Sequence, residues 1–218
     1  MLGKVFDWFV GNDRKPSTLL GSELQSHVDQ MTNIAAKELN HKFKTASDYL
    51  WLANNMMMMA AEDNRVDTYV TVMNAAALYY IGRDYERAIK SWQLVIDHCD
   101  DIVDEARNMA EYCLGRVYFD GEVVERDRSK AMEYWTSSAM AGHLNAQMWL
   151  GILYAEIHMY QISAYWLSIA KERGFESAGV QLKTLVNFVA GDPQQKRDVK
   201  EGIKEGKDTA KIYKKQGR

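Results

Sequence analysis

The chain has 218 residues, of which 47% are hydrophobic and 26% are charged, and it contains six tryptophans. This composition predicts a folded, soluble protein with enough apolar residues to bury a core in one or two domains. The two cysteines, Cys99 and Cys113, are too few for a disulfide framework and lack metal-ligand spacing, which indicates a reducing, cytoplasmic location.

The sequence predicts neither a membrane span nor an export signal. Its apolar runs fall short of the roughly 18 residues that suggest a transmembrane helix. The first residues lack the long apolar core and the cleavage site of a signal peptide. The net charge of −3 is unevenly distributed, because residues 192–218 contain nine Lys/Arg and five Asp/Glu, a surplus of +4. We therefore treat the C-terminal segment as a separate electrostatic unit.

Residues 1–16 are predicted to form a short amphipathic helix and a linker, with the helix ending at Gly11-Asn12. We expect this helix to pack as a lid on the first hairpin or on a second subunit. Anchoring at a membrane surface is less favoured, because Asp7 offsets the charge of Lys4. The apolar positions at helical spacing are Leu2, Val5, Phe6, Phe9 and Val10.

The next two predicted helices occupy residues 17–62. A run of four methionines, Met56 to Met59, lies in the second of them. Four consecutive side chains point all round a helix, so at least one is expected to face away from the local core. Adaptable packing is the favoured interpretation and a partner-binding patch is the alternative. A copper site is disfavoured, because neither His nor Cys lies within the same turn.

Two further hairpins, at about 66–98 and 106–142, are predicted from small and aromatic residues at helical spacing. The first has the spacing of a tetratricopeptide repeat. In the second, a sequence motif that begins at Ala110 recurs 36 residues later at Ala146, and such a period indicates a repeat array. Asp127 is placed to cap the second helix of this unit, and Gly142 is placed to close it in a left-handed conformation. The tetratricopeptide positions are Ala76, Tyr79, Gly82, Tyr85, Ala88, Trp92 and Val95, and the recurring positions are Ala110, Leu114, Gly115 and Tyr118, then Ala146, Leu150, Gly151 and Tyr154.

The 36-residue motif resembles the Sel-one-like repeat, a relative of the tetratricopeptide repeat. The resemblance implies an all-α fold, a right-handed α-solenoid of helical hairpins that holds another protein. The array is expected over residues 17–191, with a further hairpin at 143–174 and a half-hairpin at 175–190. Trp135 is expected to wedge between hairpins, and Gly115 is expected to lie where two helices touch.

Residues 192–218 are predicted to form a basic capping helix or tail that begins at Asp192 and Pro193. Its apolar stripe is thin and is interrupted by Gly202 and Gly206. We therefore expect a partly frayed cap whose residues after Gly206 are dispensable for folding. A docking tail for an acidic partner or for nucleic acid is the alternative, and nucleic acid is the weaker of the two because acidic residues interleave with the basic ones.

Catalysis is not predicted, because the five histidines are scattered and no phosphate loop or nucleophile elbow appears in the sequence. No metal, cofactor or small-molecule substrate is expected. The predicted function is that of an adaptor or scaffold that binds a peptide or amphipathic helix of another protein in its concave groove. The alternative is a structural subunit of a permanent assembly, and a homo-oligomer stays open.

A stripe beside the close-packing positions is the predicted partner site, since aromatic and Arg anchors dominate interfaces. The alternative for this stripe is packing against the next hairpin or against the C-terminal segment. The predicted site residues are Met73, Tyr80, Tyr112, Arg116, Phe119, Met148 and Ala155.

Overall fold

The computed structural model describes residues 17–39, 42–62, 68–99 and 105–217. Within these ranges the chain is all-helical without a strand, and its helices pack largely in chain order. A short 3-10 turn, Val189–Gly191, connects the last two α-helices. The α-helices of the described residues are α1 (Ser17–Leu39), α2 (Ala46–Glu62), α3 (Thr68–Ile81), α4 (Tyr85–His98), α5 (Glu105–Asp120), α6 (Arg128–Ala141), α7 (Leu144–Glu156), α8 (Tyr160–Glu172), α9 (Glu176–Phe188) and α10 (Pro193–Lys215).

Two predictions fall wholly or partly outside the described residues. The amphipathic helix expected over residues 1–16 lies outside them, and so does the start of the hairpin expected at about 66–98. In the methionine run, Met56 and Met57 are half-buried and Met58 is exposed. At least one methionine of the run therefore faces away from the local core, as expected.

The described residues divide into two compact units, 17–131 and 132–217. In the first unit α3 is the central helix, because it packs against α1, α2, α4 and α5. Its residues from Thr71 to Tyr80 are therefore nearly all buried. Gly82 follows α3 at a close approach to α2, since a Cβ there would lie 2.8 Å from the Leu50 Cδ2 atom.

Local signals in the sequence set several helix ends. Asp84 caps α4 by accepting a hydrogen bond from the Arg87 backbone N–H at 3.1 Å. Asp127 caps α6 by accepting from the N–H groups of Ser129 and Lys130, each at 3.0 Å, so the predicted cap is confirmed. Gly142 follows α6 with a φ of 108°, a conformation that residues with a Cβ rarely adopt.

The second unit has its core around α8, which packs against α7, α9 and α10. Trp135 is fully buried and stacks on Trp149 of the following hairpin, with ring centroids 5.7 Å apart. The wedge predicted at this tryptophan is therefore present. The core cluster of this unit comprises Tyr160, Ala164, Leu167, Ala170, Ala178, Leu182, Leu185, Val189 and Val199.

Candidate partner-binding surface

Most of the predicted site residues are interior side chains in this structure. Met73, Tyr80, Tyr112, Arg116 and Phe119 are buried in the first unit. Met148 and Ala155 are partly buried and pack against the core cluster of the second unit. The structure brings the first five together within one unit, as packing rather than as an open groove.

The contacts of these side chains explain their burial. The Tyr80 ring lies 5.1 Å from the Tyr85 ring and 5.6 Å from the Trp92 ring. The Arg116 Nη2 atom lies 3.1 Å from Asp120 Oδ2 in an ion pair shielded from solvent. Burial raises the pKa of the Asp120 carboxyl to about 6, although Arg116 opposes that rise, and burial also raises the pKa of the Tyr80 hydroxyl. Partner binding by these residues stays a prediction, and an accessible contact surface has to be sought elsewhere.

The C-terminal helix α10 provides such a surface. One side of it packs on α8, and its other side is exposed. A Cβ at Gly202 would lie 2.1 Å from the Gln161 carbonyl oxygen, and a Cβ at Gly206 would lie 2.4 Å from the Tyr165 carbonyl oxygen. Only glycine fits at such distances. Both steps advance by four residues, so α8 and α10 run parallel in close contact.

Tyr213 and Arg173 hold the C-terminal end of α10 in place. The Tyr213 hydroxyl donates to the Met140 carbonyl oxygen at 2.8 Å, and its ring is covered by the Arg173 guanidinium at 5.2 Å. Arg173 Nη1 also donates to the Gly142 carbonyl oxygen at 2.5 Å. These contacts tie α10 to the end of α6 within the second unit.

The expectation of a frayed segment after Gly206 is wrong, because α10 continues as a helix to Lys215. That these residues are dispensable for folding stays a prediction, against which their buried contacts argue. Ala210 and Tyr213 are buried, and Asp192 caps the helix by accepting from the Gln194 N–H at 2.8 Å and from the Gln195 N–H at 3.1 Å. The glycines that interrupt the apolar stripe are contact points with α8 rather than breaks. This segment is an integral helix of the unit.

Between Asp198 and Lys214 the exposed side of α10 separates its charges by sign. Basic residues recur at intervals of four, three, four and three, and acidic residues recur at intervals of three, four and three. Each spacing keeps its residues on one helical face. The basic set, called the lysine row below, is Lys200, Lys204, Lys207, Lys211 and Lys214, and the acidic set, called the acidic row, is Asp198, Glu201, Glu205 and Asp208.

All five side chains of the lysine row are exposed. Lys211 Nζ pairs with Asp208 Oδ1 at 2.8 Å, a contact that raises the pKa of Lys211 and lowers that of Asp208. Among the described residues, no carboxylate forms an ion pair with the other four lysines of the row. The charge of Lys204 also lowers the pKa of Asp208, so this carboxylate offsets part of the row. The other three lysines carry positive charge that no ion pair among the described residues compensates.

A groove of about 360 Å³ runs along the lysine row. Ile203 and Ala210 contribute apolar lining, and Glu172 from the end of α8 is the only other acidic residue besides Asp208 in that lining. Ile203 is half-buried and packs against the core cluster. The groove thus offers cations together with a small apolar floor.

A larger cleft of about 570 Å³ lies in the first unit between the start of α3 and the end of α4. Its lining includes Tyr69, Val72 and Leu94. Residues 63–67 and 100–104, which adjoin these helix ends, lie outside the described part of the chain.

Neither a metal-binding cluster nor a membrane-spanning helix occurs in the part of the chain that the structure describes. In residues 17–39, 42–62, 68–99 and 105–217, no group of three or more His, Cys, Asp and Glu side chains could hold a metal ion. Each helix in the described ranges is too short or too polar to cross a bilayer. His143 has a structural role, because its Nδ1 accepts from the Ala146 N–H at 3.3 Å and caps α7.

The chain matches no family model, and neither a curated protein nor a solved structure is significantly similar to it.

Proposed function

We propose that this chain is a protein-interaction module, an adaptor or scaffold in the cytoplasm that binds a partner protein through the exposed side of α10. Its hairpins are proposed to form a right-handed solenoid of the tetratricopeptide or Sel-one-like type. The observation that carries the proposal is a charged helix face held in place by contacts that only glycine allows at Gly202 and Gly206. The proposal is of a binding protein and not of an enzyme.

The physical argument is preorganisation. Ordering a flexible tail on binding costs conformational entropy, which lowers the affinity that its contacts can provide. A helix already fixed by Tyr213 and by its Asp192 cap avoids most of that cost. Helical-repeat arrays commonly use an exposed helix face to hold a peptide or helix of another protein.

A structural subunit of a permanent assembly is the second candidate, and one observation favours it. On α2, Trp51 and Met58 are seven residues apart, so they share one face, and they are 51% and 59% exposed. Exposed large apolar side chains of this kind can mark a surface that another subunit covers.

Two measurements test the proposal. Light scattering after size-exclusion chromatography should give the mass of a monomer, whereas a stable oligomer at all concentrations would favour the structural subunit. The immobilised chain should also retain specific proteins from an extract of its native source, and heat-denatured chain should not retain them. Failure to retain any protein specifically would contradict the proposed function.

A further inference from the structure

We infer that the lysine row of α10 binds an acidic amphipathic segment of the partner protein, an inference that rests on the proposed protein-binding function. The partner segment supplies carboxylates to the row and an apolar side chain to the groove floor at Ile203 and Ala210. Its chemistry is thus that of an acidic peptide or helix with one apolar edge.

The length of the row sets the length of its ligand. Lys200 and Lys214 are 14 residues apart, which corresponds to about 21 Å along a helix. A helical segment of about 14 residues, with carboxylates spaced four and three apart, would face the row along its whole length. Four of the five lysines have no carboxylate paired with them among the described residues, so a partner can provide that pairing.

The width of the row distinguishes a peptide from a broader polyanion. The acidic row from Asp198 to Asp208 borders the lysine row on the same helix. A helix about 10 Å wide can contact the lysines alone, whereas a vesicle surface or a nucleic-acid duplex extends beyond the row, within the roughly 8–10 Å over which the charge of the acidic row acts. Like charges directly opposed to each other are unfavourable, so the acidic row opposes the two broader ligands.

The apolar floor adds a second requirement. A purely electrostatic contact on an exposed surface is weak and is screened by salt. The groove of about 360 Å³ beside Ile203 and Ala210 accommodates an apolar side chain, which would add burial to the ion pairs. A peptide with the right charges but without that side chain should therefore bind less tightly.

The test uses the full chain and a synthetic 14-residue peptide, with Glu at spacings of four and three and one Leu on the adjacent edge. Fluorescence anisotropy of the labelled peptide measures the affinity at 50 mM and 500 mM NaCl. A peptide of the same composition in scrambled order is the ligand control. Anionic phosphatidylserine vesicles and a short DNA duplex are the competing ligands.

The key variant is Lys200→Glu, Lys204→Glu and Lys207→Glu together, which leaves the Lys211 pair with Asp208 intact. The matched control is Lys42→Glu, Lys44→Glu and Lys183→Glu, which changes the net charge equally at exposed lysines elsewhere. We expect the key variant to weaken peptide binding at least about 10-fold and the control variant to change it less than about 2-fold.

A second variant guards against misfolding. Replacing Lys200, Lys204 and Lys207 by Gln removes the charges without adding new repulsion, and it should weaken binding about 3-fold or more. Both variants should retain the helical circular dichroism spectrum of the original chain, since the substituted side chains are exposed.

Several results would overturn the inference. Equal weakening by the key and control variants, or equal binding of the scrambled peptide, would mean that only the net charge matters. Tighter binding of the vesicles or the duplex than of the peptide would identify a polyanion as the ligand. If the key variant still captures the same proteins from the native extract, the inference fails while the proposed function stands. If the original chain captures none, the proposed function itself fails.

Discussion

The close packing of α10 on α8 predicts that a side chain at Gly202 destabilises the protein. In Gly202→Ala the new Cβ would lie 2.1 Å from the Gln161 carbonyl oxygen and 3.0 Å from its carbonyl carbon. A backbone group cannot rotate away as a side chain can, so the two helices must move apart. Ala normally stabilises a helix interior by about 1 kcal/mol relative to Gly, whereas overpacking costs about 1–3 kcal/mol.

Because the obstacle is backbone, the overpacking cost should lie in the upper part of its range, at about 2–3 kcal/mol. After the gain of about 1 kcal/mol in helix propensity is subtracted, we expect Gly202→Ala to lower the free energy of unfolding by about 1–2 kcal/mol. For a chain of this size that corresponds to a fall of about 2–8 °C in the melting temperature. Thermal unfolding followed by circular dichroism at 222 nm measures the change.

Gly179→Ala is the matched control, because Gly179 also lies inside a helix but its surroundings are open. A Cβ there would meet only the flexible Lys171 side chain, at 3.5 Å or more. This variant should melt at the same temperature as the original chain or slightly higher. If Gly202→Ala stabilises the protein as Gly179→Ala does, α10 is not seated on α8 and the reasoning about this helix fails.

Three other predictions concern stability. Trp135→Ala removes a fully buried ring that stacks on Trp149 and should cost about 3–5 kcal/mol in chemical denaturation; a loss below about 1 kcal/mol would refute the wedge. Deleting residues 207–218 removes the buried Tyr213 and should lower the melting temperature, and an unchanged temperature would make this segment dispensable after all. Burial, helped by the charge of Arg173, lowers the pKa of His143 from 6.5 to about 4. The unfolded chain therefore takes up a proton that the folded chain does not, and stability is lost as the pH falls from about 6.5 to about 4. His143→Asn keeps a side-chain cap and should make the melting temperature fall less over that interval, and an identical fall in both proteins would contradict the assignment.

The hairpins could be predicted from the sequence because small and aromatic residues recur at fixed spacing. The hairpin expected at 143–174 corresponds to α7 and α8, which together span Leu144–Glu172. Turn signals such as Asp127 and Gly142 act within a few residues of the chain, so their effect on the helix ends did not depend on distant contacts.

The C-terminal helix was harder to predict because its decisive interactions are tertiary. In helix propensity, Gly202 and Gly206 are breaks. Their role is to let the backbone of α8 come so close that a Cβ at Gly202 would lie 2.1 Å from the Gln161 carbonyl oxygen. Local sequence rules do not predict such a tertiary contact. The acidic and basic residues alternate along the sequence, but on a helix they separate into two rows, because residues three and four apart share a face. The lysine row could therefore have been predicted from the spacing of the charged residues.

The predicted site residues, an aromatic stripe that includes Tyr80 and Tyr112, were misplaced for a different reason. Helical spacing identifies which side chains share a face, but it does not say how many neighbours that helix has. In the first unit α3 packs against four other helices, so Met73 is covered. Tyr80 packs against Tyr85 and Trp92 of α4, the other helix of its own hairpin. The number of packing partners is a property of the whole unit and not of one helix.

The most direct test of the central claim is to map the binding site of the acidic peptide on the intact chain by NMR. We predict that chemical-shift changes of backbone amides on titration concentrate at residues 200–214, with the largest changes near Lys204 and Lys207. Changes centred on Tyr80 and Tyr112 would instead show that the aromatic stripe opens to a partner. Such a result, or the absence of any change in α10 at saturating peptide, would contradict the account.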